Sequence, residues 1–141
     1  MKATILSAGG VASRVRIGSH DLLFDQSSSV PGGEDRGPSP LDVMAAAVGA
    51  CAHYFAAAFL LARKLSPEGL RVEVAGEKVR DPSPRFGRLS IRLTLPASMP
   101  DQYLPQIERA VRSCPAYGTL IHSPEVELSV AKEEASRAPA A

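Results

Sequence analysis

Apolar and polar residues alternate with a period of two in several short stretches of this chain. Arg14-Val15-Arg16-Ile17 and Leu70-Arg71-Val72-Glu73-Val74 do so, as do residues 89–95 and Val126-Glu127-Leu128-Ser129-Val130. That period predicts strands with one wet face and one buried face. Residues 3–8 read as a further short strand, closed by a Gly9-Gly10 turn. Gly18-Ser19 makes a tight turn into Asp21–Phe24, which gives a hairpin. The strand from Leu70 can run on to Val79. Its antiparallel mate is 89–95, across a Pro- and Gly-containing loop at 81–87.

Between the hairpin and that strand pair the pattern changes. Residues 26–38 hold three serines, Pro31, Gly32-Gly33 and the charged Glu34-Asp35-Arg36, and read as a loop. A long helix over 40–64 follows. Ser39 is a favourable N-cap, Pro40 stands at the first helical position, and Asp42 falls at the third, which is close to a capping box. The helix is apolar nearly all round until Arg63-Lys64, so it reads as a buried helix. Ala45, Ala46, Ala47, Gly49 and Ala50 keep it thin enough for another backbone to come close. A second helix is expected over 100–113, with Leu104, Ile107, Ala110 and Val111 as its apolar stripe. Pro105 sits in its first turn or splits a short turn off ahead of it. The helix ends at Cys114-Pro115, because the residue before a proline is pushed out of helical geometry. The last strand is 126–130, and 132–141 is a polar tail. Strands, long helix, strand pair, helix, strand: the fold class is α+β, with antiparallel sheets covering helices.

Composition narrows the picture. The 141 residues favour one domain, taken here as 1–131. Trp is absent and aromatics are 5%, so Ala, Val and Leu do most of the packing. A formal net charge of +1 with no basic run argues against nucleic acid or an anionic membrane as a partner. No apolar stretch is read as reaching membrane-spanning length, and the N-terminus lacks the apolar core of a signal peptide. The expected location is cytoplasmic.

The candidate chemistry rests on Cys51 and Cys114. A buried cysteine is most simply a small hydrophobe, and a buried thiol without a positive neighbour is inert. A functional Cys51 therefore requires a cation nearby, and the chain offers Arg14, Arg16 and Arg36. The 63-residue separation of the cysteines excludes a Cys-x-x-Cys motif. Cys51 and His53, two apart on a helix, point away from each other. With no paired ligand spacing among the cysteines and His20, His53 and His122, no metal is expected, nor any other cofactor.

Two segments carry a resemblance. RGPSPLDVMAAAVGACAHYF, residues 36–55, is similar to the signature of the OsmC/Ohr superfamily, in which a Gly-x-(Asn/Ser)-Pro-x-acid stretch opens a long central helix. The family's cysteine follows that proline by eleven residues, the interval from Pro40 to Cys51. AVRSCPAYGTL, residues 110–120, resembles the second motif, a helix ending in Cys-Pro. The resemblance implies an intertwined homodimer with sheets wrapped around central helices. It also implies a peroxidase for organic hydroperoxides. Cys51 would become a sulfenic acid, Cys114 would close a disulfide on it, and a dithiol reductant would reopen it.

By the same likeness an arginine, Arg36 first, activates the thiol, and an acid holds that arginine. Asp42 is the candidate acid, one position later than in the peroxidase branches, where Leu41 stands here. Asp42 and Cys51 are nine residues apart, about 180° of rotation and roughly 13 Å of rise. Asp42 would act through a bridging arginine, a helix break near Gly49 or a second chain, or serve only as a cap. Two other readings stand beside the peroxidase. One is a non-catalytic dimer that binds a small apolar or thiol-reactive ligand; the other is a structural protein with two packing cysteines.

Overall fold

The alternating stretches, apart from 126–130, fold as strands. The computed structural model describes residues 1–132. Its elements are β1 (Ala3–Ser7), β2 (Ser13–Ile17), β3 (His20–Phe24), α1 (Pro40–Ala62), β4 (Arg71–Val79) and β5 (Arg85–Thr94). A 3-10 turn (Asp101–Tyr103), α2 (Leu104–Arg112) and α3 (Pro115–Ile121) follow. β1, β2 and β3 form an antiparallel meander, and β4 and β5 a separate antiparallel pair. This is the α+β arrangement of antiparallel sheets and a long helix.

α1 begins where the sequence places its cap. The Ser39 hydroxyl oxygen accepts the Asp42 backbone N–H at 3.2 Å, and the hydroxyl donates to the Asp42 carboxylate at 2.7 Å. One face of α1 is buried, through Ala45, Val48, Gly49, Ala52, Ala56 and Leu60. That face packs on β4, β5, α2 and α3. The centre of the core is Ala52, Ala56 and Leu60 against Met99, Ile107 and Val111. Val72, Ile91, Leu93 and Leu95, from the inner side of the second sheet and the residue just past it, close over it. Gly49 is required by the close approach of α1 to β4: a Cβ there would overlap Val74.

Several expectations change. Burial all round α1 is not met: Ala46, Ala47, Ala50, His53, Tyr54 and Leu61 are exposed, because the elements of one chain cover only one side of the helix. The expectation that no stretch reaches membrane length also fails. The 23 residues of α1, with a mean hydropathy of 1.8 over an 18-residue window, are long and apolar enough to cross a bilayer. The alanines raise its hydropathy without adding bulk. Its buried face in the core is what the central helix of a folded protein also shows.

The expected 81–87 loop is shorter, since Arg85, Phe86 and Gly87 already belong to β5. The helix over 100–113 divides into the 3-10 turn and α2, with Pro105 in the first turn of α2. α3 was not anticipated. Pro115, read as a stop, is also a favourable first residue, and it starts a new helix. The strand expected at 126–130 does not form. Val126, Leu128 and Val130 are exposed, and no strand among the described residues pairs with them. Apart from Lys132, the polar tail at 132–141 lies outside the described residues.

The first sheet stands apart from this core. β1–β3 pack on one another, whereas the helices pack on β4 and β5. Ile5, Val15 and Leu22 lie in one cross-strand row, and Ile5 and Leu22 are exposed.

Candidate functional site

Cys51 lies midway along α1, and Cys114 fills the elbow between α2 and α3, where it is the N-cap residue of α3. The two are joined as a disulfide, with their Cα atoms 6.2 Å apart, across 63 residues of chain. That separation lies in the range a bridge needs. Cys114 is only 1% exposed. Its backbone N–H donates to the Val111 carbonyl at 3.0 Å, and its own carbonyl accepts from Gly118 N–H at 2.9 Å. α2 and α3 thus both end on this residue and hold it against α1.

Seven residues before Cys51 on the same helix face is Met44. With Leu41 it lines a groove of about 610 Å³, whose other walls include Phe86 and Leu89 of β5 and Tyr117 and Ile121 of α3. A second groove, of about 510 Å³, runs between β5 and α2, with Ile91, Leu93, Ile107 and Tyr117 among its walls. A third, of about 640 Å³, follows the small residues Ala46, Gly49 and Ala50, with Asp42, His53 and Lys78 at its rim. Neither cysteine lines any of the three.

The structure brings the two cysteines together and engages the other candidate residues elsewhere. Asp42 is held by Ser39 and by the Lys78 ammonium at 3.1 Å. The Ser39 hydroxyl first, and then Lys78, keep its carboxyl below the usual range. α1 is continuous from Pro40 to Ala62, so no break near Gly49 turns Asp42 toward Cys51. Arg16 makes a two-point contact with Asp21 at 3.0 and 3.1 Å, and Arg14 shares that sheet face. Arg36 donates through Nη2 to the carbonyls of Ala8 and Gly9, at 2.9 and 3.0 Å. Its Nε faces Glu34 at 3.1 Å and Asp25 at 3.5 Å. No hydrogen bond links an arginine to either cysteine among the described residues. No cluster of metal-ligating side chains occurs there either.

Asp25 was not singled out by sequence. It is 2% exposed, and its carboxylate accepts backbone N–H groups from Gln26, Glu34 and Arg36 at 2.8, 3.2 and 3.2 Å. Burial works to raise its pKa, but those three donors and the Arg36 side chain outweigh it and hold the carboxyl below the usual range. Asp25 and Arg36 therefore fasten the 26–36 loop to the β1–β2 turn, just ahead of α1.

A family model described as OsmC-like protein matches residues 32–129. Solved structures share the fold. A protein described as an osmotic-stress-induced and detoxification-response protein from Psychrobacter arcticus superposes with a TM-score of 0.75 at 16% identity, covering 84% of this chain and 87% of that one. An OsmC-like protein from Mycoplasma pneumoniae gives 0.73 at 15% identity, over 86% and 87%. An organic hydroperoxide resistance protein from Legionella pneumophila gives 0.61 at 17% identity, over 84% and 87%. No curated protein matches the sequence.

Proposed function

The chain belongs to the OsmC-like family, and from that premise we propose that it is a thiol peroxidase that reduces organic hydroperoxides to alcohols. One observation carries the reading: Cys51 and Cys114, far apart in sequence, meet within bonding reach. The Cys51 thiolate attacks the distal peroxide oxygen. The O–O bond breaks, the alkoxide leaves and takes a proton, and Cys51 becomes a sulfenic acid. The Cys114 thiol then attacks that sulfur, water leaves, and the disulfide forms. A dithiol reductant returns both thiols by exchange. Apolar walls such as those of the groove at Met44, two turns ahead of Cys51 on the same face of α1, would favour alkyl hydroperoxides over hydrogen peroxide. The cycle suits a reducing compartment such as the cytoplasm.

The working form we propose is a homodimer. Ile5 and Leu22 on the first sheet, the exposed face of α1 and the unpaired 126–130 segment are three apolar surfaces that the described residues of one chain leave uncovered. Covering α1 of one copy with the first sheet of the other buries two of them. It also carries the loop that holds Arg36 toward the partner's Cys51, where a guanidinium would lower the thiol pKa, while Arg14 and Arg16 lie on the other face of that sheet. Light scattering is expected to give twice the 14.9 kDa chain mass. A monomer at micromolar concentration would count against this arrangement.

The decisive test is thiol counting before and after one equivalent of cumene hydroperoxide. Both thiols are expected to disappear together, with a Cys51–Cys114 disulfide recovered by peptide mapping. A second reading, a non-catalytic ligand-binding dimer, draws on one observation: within one chain, Arg36 and Asp42 are engaged away from Cys51. It predicts that neither thiol reacts.

A further inference from the structure

α3 carries no buried side chain of its own. With the disulfide closed, Cys114 pins its start to α1. With the disulfide open, that covalent anchor is gone, and the position of Cys114 depends on the packing of α3 against α1 and on how the α2–α3 elbow is held. Backbone bonds tie Ser113 and Cys114 to the end of α2. α3 itself is tied back by a side-chain bridge: Arg112 Nη1 donates to the Tyr117 hydroxyl at 3.1 Å. Among the described residues this is the side-chain hydrogen bond that joins α2 to α3. Arg112 is in turn fixed on its own helix by Glu108, whose Oε1 accepts from Nη2 at 2.8 Å and from Nε at 3.1 Å. Tyr117 also forms part of the wall of both grooves on β5, so its ring lies between α3 and the sheet.

We propose that Arg112 and Tyr117 are positioning residues for Cys114: they clamp the elbow so that the Cys114 sulfur stays in line with Cys51 while the disulfide is open. Closing a ring between two sulfurs is an intramolecular reaction, and its rate follows how often the two are correctly placed. The clamp is exposed, with side chains 60% and 65% accessible at Arg112 and Glu108. Exposed pairs are weak, so the expected effect is a few-fold rather than orders of magnitude.

This inference rests on the resolving role proposed for Cys114, and its test uses no peroxide. The reduced full chain is mixed with one equivalent of 5,5′-dithiobis(2-nitrobenzoate). One cysteine attacks the reagent, releases one thionitrobenzoate and carries the other as a mixed disulfide. The second cysteine then attacks the protein sulfur of that mixed disulfide, the Cys51–Cys114 bond forms, and the second thionitrobenzoate leaves. The rate of the second release is the closure rate. In Tyr117→Phe, which keeps the ring and loses the acceptor, closure is expected to slow roughly two- to fivefold with the first release unchanged. Arg112→Met should slow it equally, and the double variant no further. Arg112→Lys should recover part of the rate. Wild-type closure in Tyr117→Phe, or equal slowing of both releases, would overturn the proposal. A wild-type protein inert to cumene hydroperoxide would sink the peroxidase reading and the resolving role with it, whereas the closure rates of the variants test the clamp by themselves.

Discussion

Cys51→Ser is expected to lower kcat/KM for cumene hydroperoxide by about three orders of magnitude or more, the scale seen when an enzyme loses its nucleophile. A serine hydroxyl is not ionised at neutral pH, and its oxygen does not accept an oxygen atom from a peroxide as sulfur does. The other thiol does not substitute, because Cys114 is 1% exposed in its elbow. Cys114→Ser should behave differently. The first equivalent of peroxide is still consumed, and Cys51 gains one oxygen that a sulfenic-acid trap such as dimedone captures. Without a partner thiol the sulfenic acid persists, and excess peroxide carries it to the sulfinic acid. Mass spectrometry of the two variants separates the roles. Residual wild-type turnover in Cys51→Ser would remove this cysteine from the mechanism.

The residues that sequence places well are those whose partners lie close by in the chain. Ser39, Pro40 and Asp42 make a helix start from three adjacent positions, and the structure forms that cap. β4 and β5 are legible because alternation tells each residue which face it takes, whatever lies beneath. α3 is not legible in this way. Pro115 closes one helix and opens another, and the composition of a short segment does not decide between the two. Val126, Leu128 and Val130 show the opposite failure. Their alternation is clear, yet a strand exists only when an edge pairs with it, and no strand among the described residues does so. The exposed half of α1 has the same origin: apolarity records that a surface is to be covered, not by which chain. Within the candidate site, the pairing of Cys51 with Cys114 was implied by likeness, while the means of meeting, an elbow between two helices, is structural. Asp25 left no sequence signal, since two of its three backbone donors lie nine and eleven residues away in an irregular loop.

Asp25 carries the second large effect. Asp25→Ala is expected to lower Tm by roughly 5–10 °C, because it strands three backbone donors and the Arg36 guanidinium around a buried, emptied position. Asp25→Asn should recover part of the loss, since an amide oxygen still accepts N–H bonds but has no charge to offer Arg36. The pH dependence follows from the direction of the shift. The folded carboxyl titrates below the usual value, so its contribution is fully present above about pH 4, where the unfolded side chain is ionised, and is lost as pH falls through the lowered folded value. Wild type should therefore lose stability on acidification below pH 4 more steeply than Asp25→Asn, whose amide does not titrate. Parallel melting curves between pH 3 and 7 decide the point, and identical slopes would show that the charge of Asp25 stabilises nothing. The same variants bear on the site. Arg36 reaches the β1–β2 turn through the Ala8 and Gly9 carbonyls, and Asp25 fixes the loop from which it reaches. In the proposed dimer that loop sets the first sheet against the partner's α1 and carries Arg36 with it. Asp25→Ala should thus slow Cys51 oxidation at temperatures well below its own melting point, whereas a substitution that destabilises only the β4–β5 core should not.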